Sequence, residues 1–156
     1  MHIRLLAVGD RQPTWVDEAF GIYTERLPPE WKFRLDIIPT VRRNKNDKSR
    51  QAMEAEGERI LDKLRHSEQV VLLDECGKQL TSKSLAGKLS DWQIDGRDLC
   101  FVIGGPDGVA DSCKQRADFK WSLSQLTLPH GLARVLFSEQ LYRAHALHIG
   151  HPYHRD

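Results

Sequence analysis

The chain has little of what usually declares a function outright. Its 156 residues include three cysteines, Cys76, Cys100 and Cys113, odd in number and far apart. They make no Cys-x-x-Cys pair and imply no disulfide framework, so a reducing cytoplasm is the expected compartment. No apolar run approaches the roughly 20 residues that span a bilayer, so no membrane partner is expected. The opening Met1-His2-Ile3-Arg4 leads straight into a strand pattern, without the profile of a cleavable signal. Charge of one sign is not in excess either. There are 23 Lys and Arg against 22 Asp and Glu, a formal net charge of +1. A broad basic face for gripping naked nucleic acid is therefore not expected, and any positive patch must be local. Neither Gly-x-Gly-x-x-Gly nor Gly-Lys-Ser/Thr occurs, so the signatures of dinucleotide and nucleoside triphosphate binding are missing. No Ser/His/Asp or Cys/His arrangement can be placed.

What is present is the profile of a globular domain, 29% charged and 40% apolar, of a length that fits one domain over residues 1–156. Strand and helix patterns alternate. Ile3 to Val8 reads as a strand ending at Gly9. Val16, Ala19, Phe20, Tyr23 and Leu27 form one apolar helical stripe, stopped by Pro28-Pro29. Phe33, Leu35 and Ile37 alternate with polar residues, which predicts a half-exposed strand near a sheet edge. Met53, Gly57, Ile60, Leu61 and Leu64 mark a second helix. Val70 to Leu73 is a third strand, closed by Asp74 and Gly77. Thr81 or Ser82 caps a third helix that turns Leu85, Leu89 and Trp92 inward. Leu99-Cys100-Phe101-Val102-Ile103 is unbroken apolar sequence bounded by turns, the pattern of a strand buried on both faces of a parallel sheet. A final helix from Gly131 to Ile149 is apolar nearly all round. It needs cover on every face, which points to a subunit interface as well as a core. The class is α/β with a mostly parallel sheet flanked by helices.

The informative stretch is Leu99 to Pro129. Gly104-Gly105-Pro106-Asp107-Gly108 follows the buried strand at its carboxyl end, where open α/β sheets bind ligands. The turn is either a cofactor loop or a strand-to-helix turn that needs glycine for its dihedrals. The basic run Arg42 to Arg50 either contacts phosphates or is a solvated loop. His145, His148, His151 and His154 recur every three residues, but Gly150 and Pro152 break the helix midway and no acidic or cysteine ligand lies near in sequence. No metal site is expected; solvated or RNA-facing imidazoles are the better reading. Glu139 and Arg143 stand at i and i+4, so Arg143 can be a simple helix ion pair.

Together the pieces carry a resemblance. They are Leu6-Ala7-Val8-Gly9, Leu73-Asp74 with Gly77-Lys78, Phe101 to Gly108, and Ser122-Leu123-Ser124 running to Pro129-His130. Arg134-Val135, Glu139-Gln140-x-Tyr142-Arg143-Ala144 and the ending Pro152-Tyr153-His154-Arg155 complete the set. Over essentially the whole chain this closely resembles the RlmH family, small SPOUT-superfamily methyltransferases of bacterial 23S rRNA. The resemblance implies a SPOUT fold with a C-terminal trefoil knot, where topology rules alone lead to an open doubly wound sheet. It also implies a homodimer and S-adenosylmethionine as cofactor, held in bent form by Leu73, Gly104 and the run Leu123, Ser124, Gln125, Leu126, Thr127 and Leu128. The implied reaction is methyl transfer to N3 of a pseudouridine on the assembled ribosome. His154 or His130 would be the base or relay, Arg155 and Arg143 would stabilise the anionic imide and a neighbouring phosphate, and Tyr153 would stack on or hydrogen-bond to the base. The tail of one subunit would complete the site of the other. The chain departs from the family in the glycines missing around Arg42 and in Cys76. A tRNA methyltransferase of the same fold, a non-catalytic dimeric ribosome-binding factor and a dinucleotide-binding domain are the competing readings.

Overall fold

The computed structural model describes residues 1–9, 11–43 and 49–155, with the backbone alone for His154 and Arg155. Five strands form one sheet: β1 (Ile3–Val8), β2 (Arg34–Ile38), β3 (Gln69–Gln79), β4 (Leu99–Ile103) and β5 (Phe119–Ser122). Their order is β2-β1-β4-β3-β5, and every pairing is parallel. The helices are α1 (Thr14–Thr24), α2 (Ser49–Lys63), α3 (Ser82–Asp95), α4 (Asp111–Arg116) and α5 (His130–His148).

The apolar alternation decides the layers. In β4, Leu99, Phe101 and Ile103 face one way and Cys100 and Val102 the other, and all five are buried. The first face carries α1, α3 and α5, with α5 packed against both of the others. Its centre is aromatic: Phe101 and Phe137 meet edge to face at 4.8 Å, and Trp92 and Trp121 flank Phe101. The second face is smaller and is closed by Ile60 of α2 and Cys113 of α4. As the alternation at Phe33 to Ile37 predicts, β2 is an edge strand, with Ile37 exposed. Of the two possible caps, Thr81 is the one used; its Oγ1 accepts from the Ser84 amide at 3.0 Å.

Two features depart from the sequence pattern. The third strand does not end at Leu73. It continues to Gln79 after a register shift, because Leu73 and Lys78 both face Trp121 while 74–77 bulge out between them. Gly77 makes the closure possible. A Cβ there would lie 2.7 Å from the Lys120 carbonyl carbon and 2.8 Å from the Trp121 amide, backbone that cannot yield. The other departure is a set of buried charges. Arg4, on β1, forks onto Glu68 at 2.9 and 2.8 Å and reaches Asp36 at 3.0 Å. Arg4, Glu56, Glu68 and Arg134 are all nearly inaccessible to solvent.

Candidate functional site

Two adjacent strands, β1 and β4, both end in glycine, Gly9 and Gly104. Glycine at these positions lets His130 and Arg134 pack against the end of β1 and Val109 against the end of β4, and two clefts open at this carboxyl edge of the sheet. The first, of about 490 Å³, runs from the bulge after Leu73 along Gly104–Gly108 to the 123–128 segment. The second, of about 770 Å³, lies behind the same turn, between Val8-Gly9, Thr40–Arg43 and Pro129-His130. Ile103, Gly104, Gly105 and Pro106 line both, so one short piece of chain is the wall between them.

The wall is tightly built. A Cβ on Gly104 would fall 2.4 Å from Val109 Cγ2, and one on Gly105 would fall 2.8 Å from Glu56 Oε1. Gly108 has φ +89°, a conformation that favours glycine, and its amide donates to the Gly105 carbonyl at 3.1 Å. The glycines satisfy the geometry of a strand-to-helix turn, and they let Val109 and Glu56 pack directly against its backbone.

Of the residues expected around a cofactor, Leu73, Gly104, Leu123, Leu126, Thr127 and Leu128 line the first cleft. Ser124 and Gln125 do not. Ser124 shapes the loop instead, its Oγ accepting from the Leu126 amide at 2.9 Å, and Gln125 donates outward to Gln79. The cleft combines apolar walls with acidic groups, Asp74, Glu75, Asp107 and Asp111, against one lysine, Lys114. A cleft of this size, apolar but acidic, suits a small ligand that carries both an aromatic body and positive charge. The second cleft has no carboxylate among its described lining residues and carries Arg42 at its edge, beside Arg43, whose charge is met by Glu56 and Asp107. Both receive the amino end of α5. Its N-cap is Pro129, which makes no side-chain capping bond, so the positive end of a 19-residue helix faces the wall.

The expected catalytic residues separate into two places. His130 lines the second cleft. Its Nε2 accepts from Arg134 Nε at 2.7 Å, and burial, with the Arg134 charge, pushes its pKa down to about 4. The imidazole is neutral near pH 7 with its lone pair already engaged, which suits a relay or a fixed wall better than a base. Burial likewise lowers the pKa of Arg134, whose Nη2 has no partner and lies 3.0 Å from where a Gly9 Cβ would be.

Tyr153 and Arg143 come together elsewhere, midway along α5. Glu139 Oε1 accepts from the Tyr153 hydroxyl at 2.9 Å and from Arg143 at 2.9 and 2.7 Å. The Arg143 guanidinium lies 5.1 Å from the Tyr153 ring centre, and Tyr142 packs edge-on against the same ring. Burial and the Glu139 carboxylate raise the Tyr153 pKa. The ion pair expected for Glu139 and Arg143 is therefore present, with the tail docked onto it. The side chains of His154 and Arg155 lie outside the described residues, as do positions 44–48 of the basic loop.

The histidine series has separate structural partners. His145 meets Trp31 edge-on, His148 Nδ1 pairs with Ser90 Oγ, and His151 Nδ1 accepts from the Tyr153 amide. Among the described residues no group of three or more His, Cys, Asp or Glu is placed to hold a metal ion, and no helix is long and apolar enough to cross a membrane.

Sequence reasoning missed the second cleft and the inward role of Arg43. The paired glycines at the ends of β1 and β4 were the available signal for the cleft. Arg43 belongs to the basic run read as either phosphate-contacting or solvated, but it turns inward onto Glu56 and Asp107.

Comparison with known proteins adds the following. A family model described as predicted SPOUT methyltransferase matches residues 1–154. A Thioalkalivibrio sulfidiphilus protein named ribosomal RNA large subunit methyltransferase H is 47% identical over 156 residues, covering 100% of both chains. Proteins of the same name from Hahella chejuensis (44%, 100% of both chains) and Pseudomonas fluorescens (46%, 99% of this chain and 100% of the relative) are similar over their full lengths.

Proposed function

The chain belongs to the SPOUT methyltransferase family, and from that premise we propose that it methylates large-subunit ribosomal RNA, moving a methyl group from S-adenosylmethionine to N3 of a pseudouridine. The observation that carries the reading is the contrast between the two clefts. One is apolar and acidic, the other has Arg42 at its edge and no carboxylate among its described lining residues, and they share a single wall of chain. A cationic cofactor suits the first, where Leu73, Leu123 and Leu128 would flank its aromatic body beside the 124–127 segment. An anionic nucleic acid fits the second. When bound, S-adenosylmethionine supplies an activated methyl on a sulfonium. The chain must place the acceptor in line with it and take up the N3 proton.

The positive end of α5 faces the wall, where it favours the anionic imide formed as that proton leaves. Thr40 lines the second cleft, and its Oγ1 is buried there without a hydrogen-bond partner. In this reading His130 holds the wall and the Tyr153-His154-Arg155 tail brings the remaining groups, His154 as base or relay and Arg155 with Arg143 as anion partners. The tail of the same chain docks at Glu139, nine positions beyond His130, or about 14 Å along the helix. Supply of the tail by a second subunit answers that separation. Trp15, Ile22 and Leu132, exposed on the packed pair α1 and α5, support a homodimer. The strand order, with β4 inserted between β1 and β3 and β5 beyond β3, is compatible with a trefoil knot at the C-terminal end. A cytoplasmic enzyme acting on the assembled ribosome fits the near-neutral charge.

The test is methyl-labelled S-adenosylmethionine offered in parallel to unmodified ribosomes and to bulk tRNA. Label in large-subunit rRNA supports the proposal. Label in tRNA alone transfers it to another substrate, and cofactor binding without label in either leaves a ribosome-binding factor.

A further inference from the structure

We infer that Arg43 is a positioning residue that couples the two clefts through the wall they share. The inference rests on reading the first cleft as the cofactor side and the second as the acceptor side. Arg43 uses its whole fork. Nη1 and Nη2 donate to the two oxygens of Glu56 at 2.9 and 2.8 Å, Nη1 also reaches the Val41 carbonyl at 2.7 Å, and Nε donates to Asp107 Oδ2 at 2.7 Å. Glu56 is 2% exposed and accepts a further bond from the Val41 amide at 2.9 Å. Its Oε1 lies against the Cα of Gly105, in the space a side chain there would need.

One guanidinium therefore fixes three segments: the 40–43 loop after β2, helix α2 through Glu56, and the glycine turn at Asp107. The loop lines only the second cleft and Asp107 only the first. The carboxylate of Glu56 backs the middle of the wall, and the bond to Asp107 anchors its far end. A shift of the 40–43 loop on contact with RNA must move the turn or break a charge-assisted bond. Cofactor and acceptor binding are then linked, and the linkage is reciprocal. The planar fork is essential, because a lysine ammonium is a point charge that pairs with Glu56 but does not also hold Asp107 and Val41 in the same geometry. A merely structural ion pair would stabilise the fold and leave the turn and the cofactor indifferent to a change from arginine to lysine.

The experiment compares the full-length protein with Arg43→Lys and with the charge-neutral double variant Arg43→Gln/Glu56→Gln. Three quantities are read: melting temperature, amide exchange of the 104–109 segment in the free protein, and S-adenosylmethionine affinity by calorimetry. For Arg43→Lys the melting temperature stays within about 4 °C of wild type, exchange at 104–109 rises about tenfold, and cofactor affinity falls roughly 5- to 10-fold. Should Arg43→Lys be poorly folded, the double variant carries the same expectation without a buried unpaired charge. Unchanged exchange and unchanged affinity in folded variants overturn the inference. Faster exchange with unchanged affinity overturns the coupling and leaves only a clamp. Wild-type protein that binds no S-adenosylmethionine overturns the functional reading instead, and the exchange measurement still decides whether Arg43 holds the wall.

Discussion

Removal of the C-terminal tail after Ile149 is the perturbation with the most consequence. Within one chain the tail is held at Glu139 by the Tyr153 hydroxyl bond at 2.9 Å, by the Tyr142 ring at 4.7 Å and by Arg143 over the Tyr153 ring. Those contacts together are worth about 3 to 5 kcal/mol: a hydrogen bond to a charged group, an edge-on aromatic pair and a partly exposed cation–π contact. They hold Tyr153 at Glu139, nine positions or about 14 Å along the helix from His130. On the proposed reading the tail acts on the other subunit of a homodimer. Truncation is expected to cut transfer by about 10³-fold, which is about 4 kcal/mol of transition-state stabilisation, with cofactor affinity changed less than about threefold. Mixing the truncated chain with a full-length Gly104→Val chain, whose turn and first cleft are disrupted by the clash with Val109, then gives a sharper result. Random pairing makes half of the dimers mixed, and each mixed dimer has one intact composite site, so transfer returns to roughly a quarter of wild type. No recovery in mixtures shown to contain mixed dimers refutes supply of the tail in trans.

Other predictions follow from the geometry. The folded-state pKa of His130, about 4, lies below its ordinary value of 6.5. The unfolded chain therefore binds the extra proton first, and stability is full above pH 6.5 and lost as pH falls toward 4. His130→Gln should flatten the stability profile across that window; an unaltered slope contradicts a buried, neutral His130. Gly77→Ala drives a Cβ into the β5 backbone and should cost about 2 kcal/mol, roughly 5 °C in melting temperature, because the β3–β5 closure has to open. A melting temperature equal to wild type sinks that account of the bulge. Burial raises the Cys100 thiol to about 12 and the Cys113 thiol in the same direction, while Cys76 is exposed. A thiol reagent should titrate one cysteine in the native protein and three in denaturant; two or three fast native thiols would show a core looser than described.

Much of the frame was legible because it follows from periodicity. The unbroken run at Leu99 to Ile103 placed a central buried strand, and the alternation at Phe33 to Ile37 placed an edge. The helical stripes at Val16–Leu27 and Leu85–Trp92 gave the inward faces. What stayed hidden depends on partners distant in sequence. Arg4 reads as a polar break in an apolar strand until Glu68, 64 residues on, receives its fork. Arg43 reads as one of a basic run until Glu56 and Asp107 close around it. The continuation of β3 through Asp74-Glu75-Cys76-Gly77 carries no apolar pattern, because the residues that bulge pair with nothing and Gly77 is chosen for its lack of a side chain. The strand order β2-β1-β4-β3-β5 is invisible to local pattern altogether. For the site, six of the eight residues the motif offered as cofactor contacts line the first cleft, while Ser124 and Gln125 do not.

The central claim is most directly tested by locating the transferred methyl to the atom. Large-subunit rRNA from ribosomes treated with the protein and methyl-labelled S-adenosylmethionine would be digested and the labelled nucleoside identified by mass spectrometry. The account predicts a single labelled nucleoside, a pseudouridine carrying its methyl on N3. Label on a ribose oxygen, or on another base, would contradict an acceptor cleft built to stabilise an imide anion.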